Sequence, residues 1–250
     1  MTLERIIKGV SIMKNVCRNC GSEDVIIKDN KMYCPCCGQS FDLAKKEEPI
    51  HVDEASSMKV DKMFKRVVSI QALVDTTIKV GTAFFISTKY AITNAHILFD
   101  EETKASTIVG KNYEGNKTYH FEIVDYDMNL DIAVLESKDV SAFHFCTLTE
   151  LVKNGEEVFA IGNSKGEGLC IVNGLVSDKN RMVDGIEYIM SSVLVTNGNS
   201  GGPLFNSNGF VVGMITMSTP DVAMMNYALP SKAINLYLSR VKNTKGVPVF

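Results

Sequence analysis

The stretch Thr196-Asn197-Gly198-Asn199-Ser200-Gly201-Gly202-Pro203-Leu204-Phe205 frames one serine with glycines and then runs into an apolar, strand-like segment. That arrangement points to acyl transfer. A serine hydroxyl is a poor nucleophile near neutral pH, so it needs a base to take its proton and donors to hold the oxyanion it generates. Gly198 can take backbone angles that turn its N–H toward such an oxygen beside the Ser200 N–H, while Gly201 and Gly202 leave room for a substrate backbone. A plain glycine-rich turn would read the same in isolation, so the surrounding sequence decides.

Two upstream segments supply what the serine lacks. Tyr90-Ala91-Ile92-Thr93-Asn94-Ala95-His96-Ile97 reads as a strand entering a turn that carries a histidine, and Leu130-Asp131-Ile132-Ala133-Val134-Leu135 puts an aspartate at the mouth of an apolar strand. A histidine, with an ordinary pKa of about 6.5, can accept and return a proton near neutrality. A buried carboxylate beside it would fix which ring nitrogen faces the serine. The order His, Asp, Ser is that of chymotrypsin-type enzymes, unlike the subtilisin or α/β-hydrolase orders. Together with Gly81-Thr-Ala-Phe-Phe-Ile-Ser87, Ala160-Ile-Gly-Asn163 and Tyr227-Ala-Leu-Pro-Ser-Lys232, these segments resemble the trypsin-like proteases, especially the HtrA (Deg) branch, over about residues 63–241. The resemblance implies that Ser200 attacks, His96 acts as base and then acid, Asp131 orients the imidazole, and the N–H groups of Gly198 and Ser200 form the oxyanion hole. His51, His120 and His144 read as ordinary core or surface histidines, and Asp125 and Asp127 as solvated residues of a polar turn.

With 250 residues, 45% of them hydrophobic, there is material for one large domain and a small one. Lys and Arg total 26 against 29 Asp and Glu, a net charge of −3, so no global field recruits nucleic acid or an acidic membrane. No apolar run approaches the roughly 18 residues that span a bilayer, and the chain reads as soluble.

Residues 1–16 carry Leu3, Ile6, Ile7 and Val10 on one helical face, which predicts a short amphipathic helix for packing, a membrane surface or self-association. The segment lacks the continuous apolar core of a secretory signal. Cys17-Arg-Asn-Cys20-Gly21 and Cys34-Pro-Cys-Cys37-Gly38 then give two C-x2-C pairs, each followed by glycine, with Cys36 spare and able to exchange with Cys37. Four thiolates at this spacing, Cys17, Cys20, Cys34 and Cys37, predict one structural zinc ion in a ribbon over residues 17–41, with Val25 to Ile27 and Lys31 to Tyr33 as its hairpin strands. Such a ribbon is too small to fold unaided, and its even charge favours docking a protein partner or regulator over tracking phosphates. Residues 42–62 read as a polar linker, 63–242 as the protease domain and 243–250 as a tail.

From Val67 onward come short β-rich runs: Val67 to Val74, Val80 to Ile86, Tyr90 to Thr93, Tyr119 to Val124, Ile132 to Leu135, Glu157 to Ile161, Leu169 to Val176, Tyr188 to Val195 and Phe210 to Met217. That spacing indicates an all-β sandwich or barrel. The resemblance implies a chymotrypsin-like pair of six-stranded barrels, with His96 and Asp131 from the first, Ser200 from the second, and a closing helix that Ser231 would cap. Digestive trypsin-like proteases keep disulfides, whereas only Cys146 and Cys170 lie in the catalytic region here, so an intracellular, cytoplasmic enzyme is expected. Neither Ser191-Ser-Val-Leu-Val195 nor Gly213-Met-Ile-Thr-Met217 contains an acid, which predicts cleavage of protein or peptide substrates after small or medium apolar residues. The alternative is a latent or silent protease-fold protein that binds polypeptides and is targeted by its ribbon.

Overall fold

The computed structural model of the chain describes residues 17, 19, 22–28, 31–42, 54–139, 142, 144–218 and 225–247. The expected amphipathic helix of residues 1–16, together with Cys20, Gly21, His51 and residues 248–250, lies outside them. The chain divides into two units, residues 1–53 and 54–250.

In the first unit, β1 (Ile26–Lys28), β2 (Lys31–Tyr33) and β3 (Ser40–Asp42) form an antiparallel sheet in that order. The hairpin expected around residues 29–30 is present with its first strand one residue later, and β3 adds a third strand that the sequence reading had not assigned. Between β2 and β3 the chain turns tightly: Gly38 N–H donates to Cys34 O at 2.9 Å, and Gly38 sits at φ 70°, a left-handed conformation open to glycine at no steric cost.

The second unit begins earlier than expected. Helix α1 (Glu54–Phe64) occupies the end of the segment read as a linker. Among its described side chains, Met63 and Phe64 at the C-terminal end are covered, and Phe64 meets the Tyr113 ring at 4.4 Å. Lys59 Nζ donates to Ser207 O, and Arg66, just past the helix, donates to Gly209 O at 3.0 Å. Tertiary contacts rather than propensity hold this helix.

Next come β4 (Val67–Val74), β5 (Thr77–Phe85), β6 (Tyr90–Thr93), a small side ribbon β7 (Phe99–Asp100) with β8 (Thr103–Lys104), then β9 (Thr107–Lys111), β10 (Thr118–Asp127) and β11 (Ile132–Ser137). Apart from the ribbon they close a barrel in the order β10-β11-β6-β5-β4-β9. The second barrel contains β12 (Glu157–Asn163), β13 (Leu169–Val183), β14 (Ile186–Ser191), β15 (Pro203–Asn206), β16 (Val211–Ser218) and β17 (Asn226–Pro230), in the order β12-β13-β14-β17-β16-β15. Each barrel has its own apolar filling: Ile70, Ala83, Phe85 and Leu135 in the first, Val158, Ile189, Leu204 and Ile215 in the second. A third cluster, with Phe84, Ile92, Ile132, Phe205 and Met214, joins them along the seam.

Helix α2 (Ser231–Lys245) closes the unit and buries Ile234, Tyr237, Leu238 and Val241, the predicted face. Each aliphatic side chain so covered contributes roughly 1.5–3 kcal/mol. Ser231 does not cap it; the N-cap is Pro230, and Ser231 Oγ donates instead to Val211 O at 2.7 Å, tying the helix to β16. The turn read as solvated is likewise engaged. β10 extends through Asp127, and Arg240 of α2 reaches Asp127 at 3.2 Å and Asp125 at 3.4 Å.

Candidate active site

The short 3-10 turn Ala95–Ile97 follows β6 and delivers His96 to the seam. Asp131 stands immediately before β11, which pairs with β6 through Ala133↔Thr93. This neighbouring register brings the two residues together although 35 positions separate them. His96 Nδ1 and Asp131 Oδ2 are 2.7 Å apart, and the His96 backbone N–H donates to Asp131 Oδ1 at 2.9 Å. Both carboxylate oxygens are thus occupied by one residue, which fixes ring orientation and places the Nδ1 proton on the aspartate side. The His96 side chain is 49% exposed and that of Asp131 20%, so the ring's far nitrogen is accessible while the carboxylate is mostly covered.

Ser200 comes from the 192–202 loop of the second barrel but is held by the first. Its carbonyl accepts the Thr82 N–H of β5 at 2.9 Å. Next to it, Gly201 at φ 80° lies so close to β5 and β6 that a Cβ would meet Thr82 O at 2.2 Å and Thr93 Oγ1 at 2.3 Å. The serine loop therefore abuts the strand leading to His96, and only glycine fits there. Among the described residues no hydrogen bond joins Ser200 Oγ to His96. Such bonds often tighten only when substrate is bound.

The main chain arranges the two N–H groups expected to act as oxyanion donors. Asn197 O accepts the Lys165 N–H at 2.7 Å, so the trans peptide that follows directs the Gly198 N–H the opposite way. Gly198 O accepts the Thr82 hydroxyl at 2.7 Å. A Cβ on Gly198 would sit 2.1 Å from Asn163 O, and its φ is 96°. Among the described residues neither the Gly198 nor the Ser200 N–H is taken by a protein acceptor. Both are available for a developing negative charge, the requirement for oxyanion stabilisation.

Several residues that build this site escaped the sequence reading. Thr82, fully buried, donates to Gly198 O and accepts the Asn163 N–H at 2.9 Å. Ser164 donates to Asn199 Oδ1 at 2.8 Å, fixing the residue beside the nucleophile. Lys165 holds Asn197 from a left-handed backbone at φ 54°. These partners lie 32 to 116 positions apart, beyond any local pattern; the one available signal was small polar residues in otherwise apolar strands.

A second histidine–aspartate pair tests what such pairing means. Asp139 Oδ2 lies 2.6 Å from His120 Nδ1 and accepts its backbone N–H at 2.8 Å. Those bonds, the side-chain one first, hold the Asp139 carboxyl below its ordinary range. Both side chains are well exposed, at 60% and 41%, which puts His120 on the surface side of the core-or-surface expectation. His144 is also exposed. Burial pushes the Cys146 thiol up to about 12, so it presents no competing nucleophile near neutrality.

In the first unit, the sulfurs of Cys17, Cys34 and Cys37 lie within 4.8 Å of one another, with Cys17 and Cys37 at 3.5 Å. A tetrahedron with zinc–sulfur bonds of about 2.3 Å has edges of about 3.8 Å, so the donor set fits such an ion. Cys36 is exposed and outside the cluster. None of the described cysteines is in a disulfide.

Comparison with known proteins agrees with this geometry. A family model described as "Trypsin-like peptidase domain" matches residues 81–214, more than half of the chain. The chain is 30% identical over 173 residues to "Serine protease HTRA1" of Xenopus laevis, covering 65% of this chain and 36% of that protein. It is 31% identical over 180 residues to the "Probable periplasmic serine endoprotease DegP-like" of Chlamydia trachomatis, covering 66% and 35%. For "Serine protease Do-like HtrA" of Bacillus subtilis the values are 32% over 160 residues, 58% and 34%. The chain thus spans about a third of the length of these relatives. Among solved structures, "HtrA-type protease AlgW with tripeptide" superposes with a TM-score of 0.68 at 23% identity, covering 75% of this chain and 64% of that one.

Proposed function

The chain belongs to the trypsin-like peptidase domain family, and from that premise we propose that it is a serine endopeptidase acting on protein substrates through Ser200, His96 and Asp131. The observation that carries this reading is the doubly hydrogen-bonded His96–Asp131 pair beside a serine loop whose two candidate oxyanion N–H groups are unspent. In the proposed reaction, Ser200 Oγ attacks the scissile carbonyl carbon while its proton passes to His96 Nε2. The carbonyl oxygen, now an oxyanion, is held by the Gly198 and Ser200 N–H groups. His96 then returns the proton to the leaving amine as the C–N bond breaks, leaving an acyl-serine. Water enters, gives a proton to His96, attacks the ester and releases the acid as Ser200 recovers its hydrogen. Asp131 remains ionised throughout and stabilises the imidazolium.

The proposed substrate is an extended polypeptide segment with a small or medium apolar side chain before the cut. Support comes from the acid-free segments 191–195 and 213–217, which offer a basic side chain no partner. Cleavage sites mapped by mass spectrometry on a denatured protein should concentrate after Val, Ala, Leu or Met. A dominance of Lys or Arg at that position would overturn this assignment of specificity.

The proposed role of the first unit is a zinc-dependent docking or regulatory module, with Cys17, Cys20, Cys34 and Cys37 as ligands. Zinc there would act structurally, closing the turns that carry the thiolates, and the retained thiols suit a cytoplasmic, reducing setting. Purified protein is expected to hold one zinc per chain by elemental analysis, and Cys34→Ser to abolish retention during dialysis against a chelator. Absence of zinc from the wild type would remove the metal from the account, and equal retention by both proteins would remove Cys34 as a ligand.

A further inference from the structure

Asn94 occupies the N-cap position of the turn that carries His96, with extended backbone angles of φ −76° and ψ 144°. An asparagine there ordinarily accepts an N–H of its own turn. This one makes no such bond. Its amide nitrogen donates instead to the main-chain carbonyl of Asp131 at 2.7 Å, and to Thr216 Oγ1 of β16 at 3.3 Å. Thr216 in turn donates its hydroxyl proton to Met214 O at 3.1 Å, so it meets Asn94 as an acceptor. Both partners of the amide are therefore acceptors, which fixes the nitrogen on that side. Among the described residues, the buried Asn94 side-chain oxygen has no partner.

A fully buried amide that forgoes capping and leaves one oxygen unsatisfied is a costly use of the position, and what it gains among the described residues is its pair of donor contacts. The more important contact is with a strained residue. Asp131, in the turn between β10 and β11, has φ 52°, in the left-handed region that non-glycine residues enter uncommonly, aspartate more readily than most. Relaxation toward extended angles would rotate the Asp131 side chain about its own backbone. That rotation would break the arrangement in which Oδ1 takes the His96 N–H and Oδ2 faces Nδ1.

We infer that Asn94 is a positioning residue of the site: its amide clamps the Asp131 carbonyl, holds that residue left-handed, and so keeps both carboxylate oxygens on His96. Asn94 touches no reacting atom in this account and acts only through Asp131. The inference rests on the triad assignment for its effect on rate, but the His96–Asp131 contact that it governs can be read without catalysis.

The test compares wild type with Asn94→Leu, which keeps the γ-branched shape at a somewhat larger volume while removing both the donors and the orphaned oxygen. Three results are expected. On a chromogenic peptide substrate kcat per titrated site falls by about 10–100-fold with KM little changed, the scale of a misplaced catalytic group. The melting temperature stays close to wild type. The low-field proton resonance of the Asp131-bound imidazole N–H, visible in wild type, is lost to exchange. Asn94→Ala should give the same loss of the resonance, covering the case in which leucine is not accommodated. Retention of the resonance and of kcat in these variants would overturn the inference. Hydrolysis that survives Ser200→Ala would instead sink the triad assignment, and the resonance comparison would still decide the role of Asn94.

Discussion

Ser200→Ala is expected to lower kcat by about 10^5–10^6-fold while leaving the fold in place, measured as hydrolysis of a protein substrate beside a thermal melt. The size of the loss follows from the proposed chemistry. Without Oγ there is no acyl intermediate, His96 has no proton to move, and only the oxyanion donors and binding contribute. The intact fold follows from how the residue is held. Its structural tie is the carbonyl that accepts the Thr82 N–H at 2.9 Å, and Oγ makes no hydrogen bond among the described residues. Removing that atom breaks no contact on which the loop depends, so a large fall in melting temperature would show that Ser200 has another job.

Asp131→Asn is expected to cost about 10^4-fold in kcat, for a reason its two contacts make explicit. The carboxylate accepts twice, from the His96 backbone N–H at Oδ1 and from the ring at Oδ2. A carboxamide has one acceptor and one donor. If its oxygen keeps the backbone N–H, its NH2 faces Nδ1, which must then be the bare nitrogen. The ring proton moves to Nε2, the side meant to receive the serine's proton, and the base is disabled. The resulting enzyme should regain rate as pH rises and hydroxide substitutes for the lost base; an asparagine variant with near-wild-type kcat at neutral pH would remove Asp131 from the mechanism.

The proposed reacting groups stand out in the sequence because the chemistry demands particular residue types with particular neighbours. Ser200 among glycines, His96 after a strand and Asp131 before one identify themselves, and the resemblance put them in one cleft. Nine of the twelve barrel strands could be read from apolar runs, though several extend further than expected. The other three are β9, β15 and β17. β15 begins at Pro203, the strand-like segment expected directly after the glycine loop, while β17 falls mostly within the Tyr227–Lys232 segment quoted for its resemblance.

What stayed hidden is the support. The Thr82 bond to Gly198, the Lys165 bond to Asn197 and the Asn94 clamp on Asp131 join residues 116, 32 and 37 positions apart, and barrel closure alone makes them neighbours. Helix α1 was hidden for a related reason: its burial at Met63 and Phe64 depends on surfaces that exist only after the unit has closed. Ser231 shows the converse error. The residue has the chemistry of a helix cap, but β16 offers it the Val211 carbonyl, and that tertiary contact wins.

Covalent labelling with a fluorophosphonate probe, read by intact mass, tests the central claim most directly, because the probe reports an assembled and activated nucleophile rather than a serine in a suggestive loop. The account predicts one adduct on the purified wild-type chain and none on Ser200→Ala. An adduct of equal yield on both proteins, or none on the wild type, would contradict it, and the second result would favour the latent, polypeptide-binding alternative.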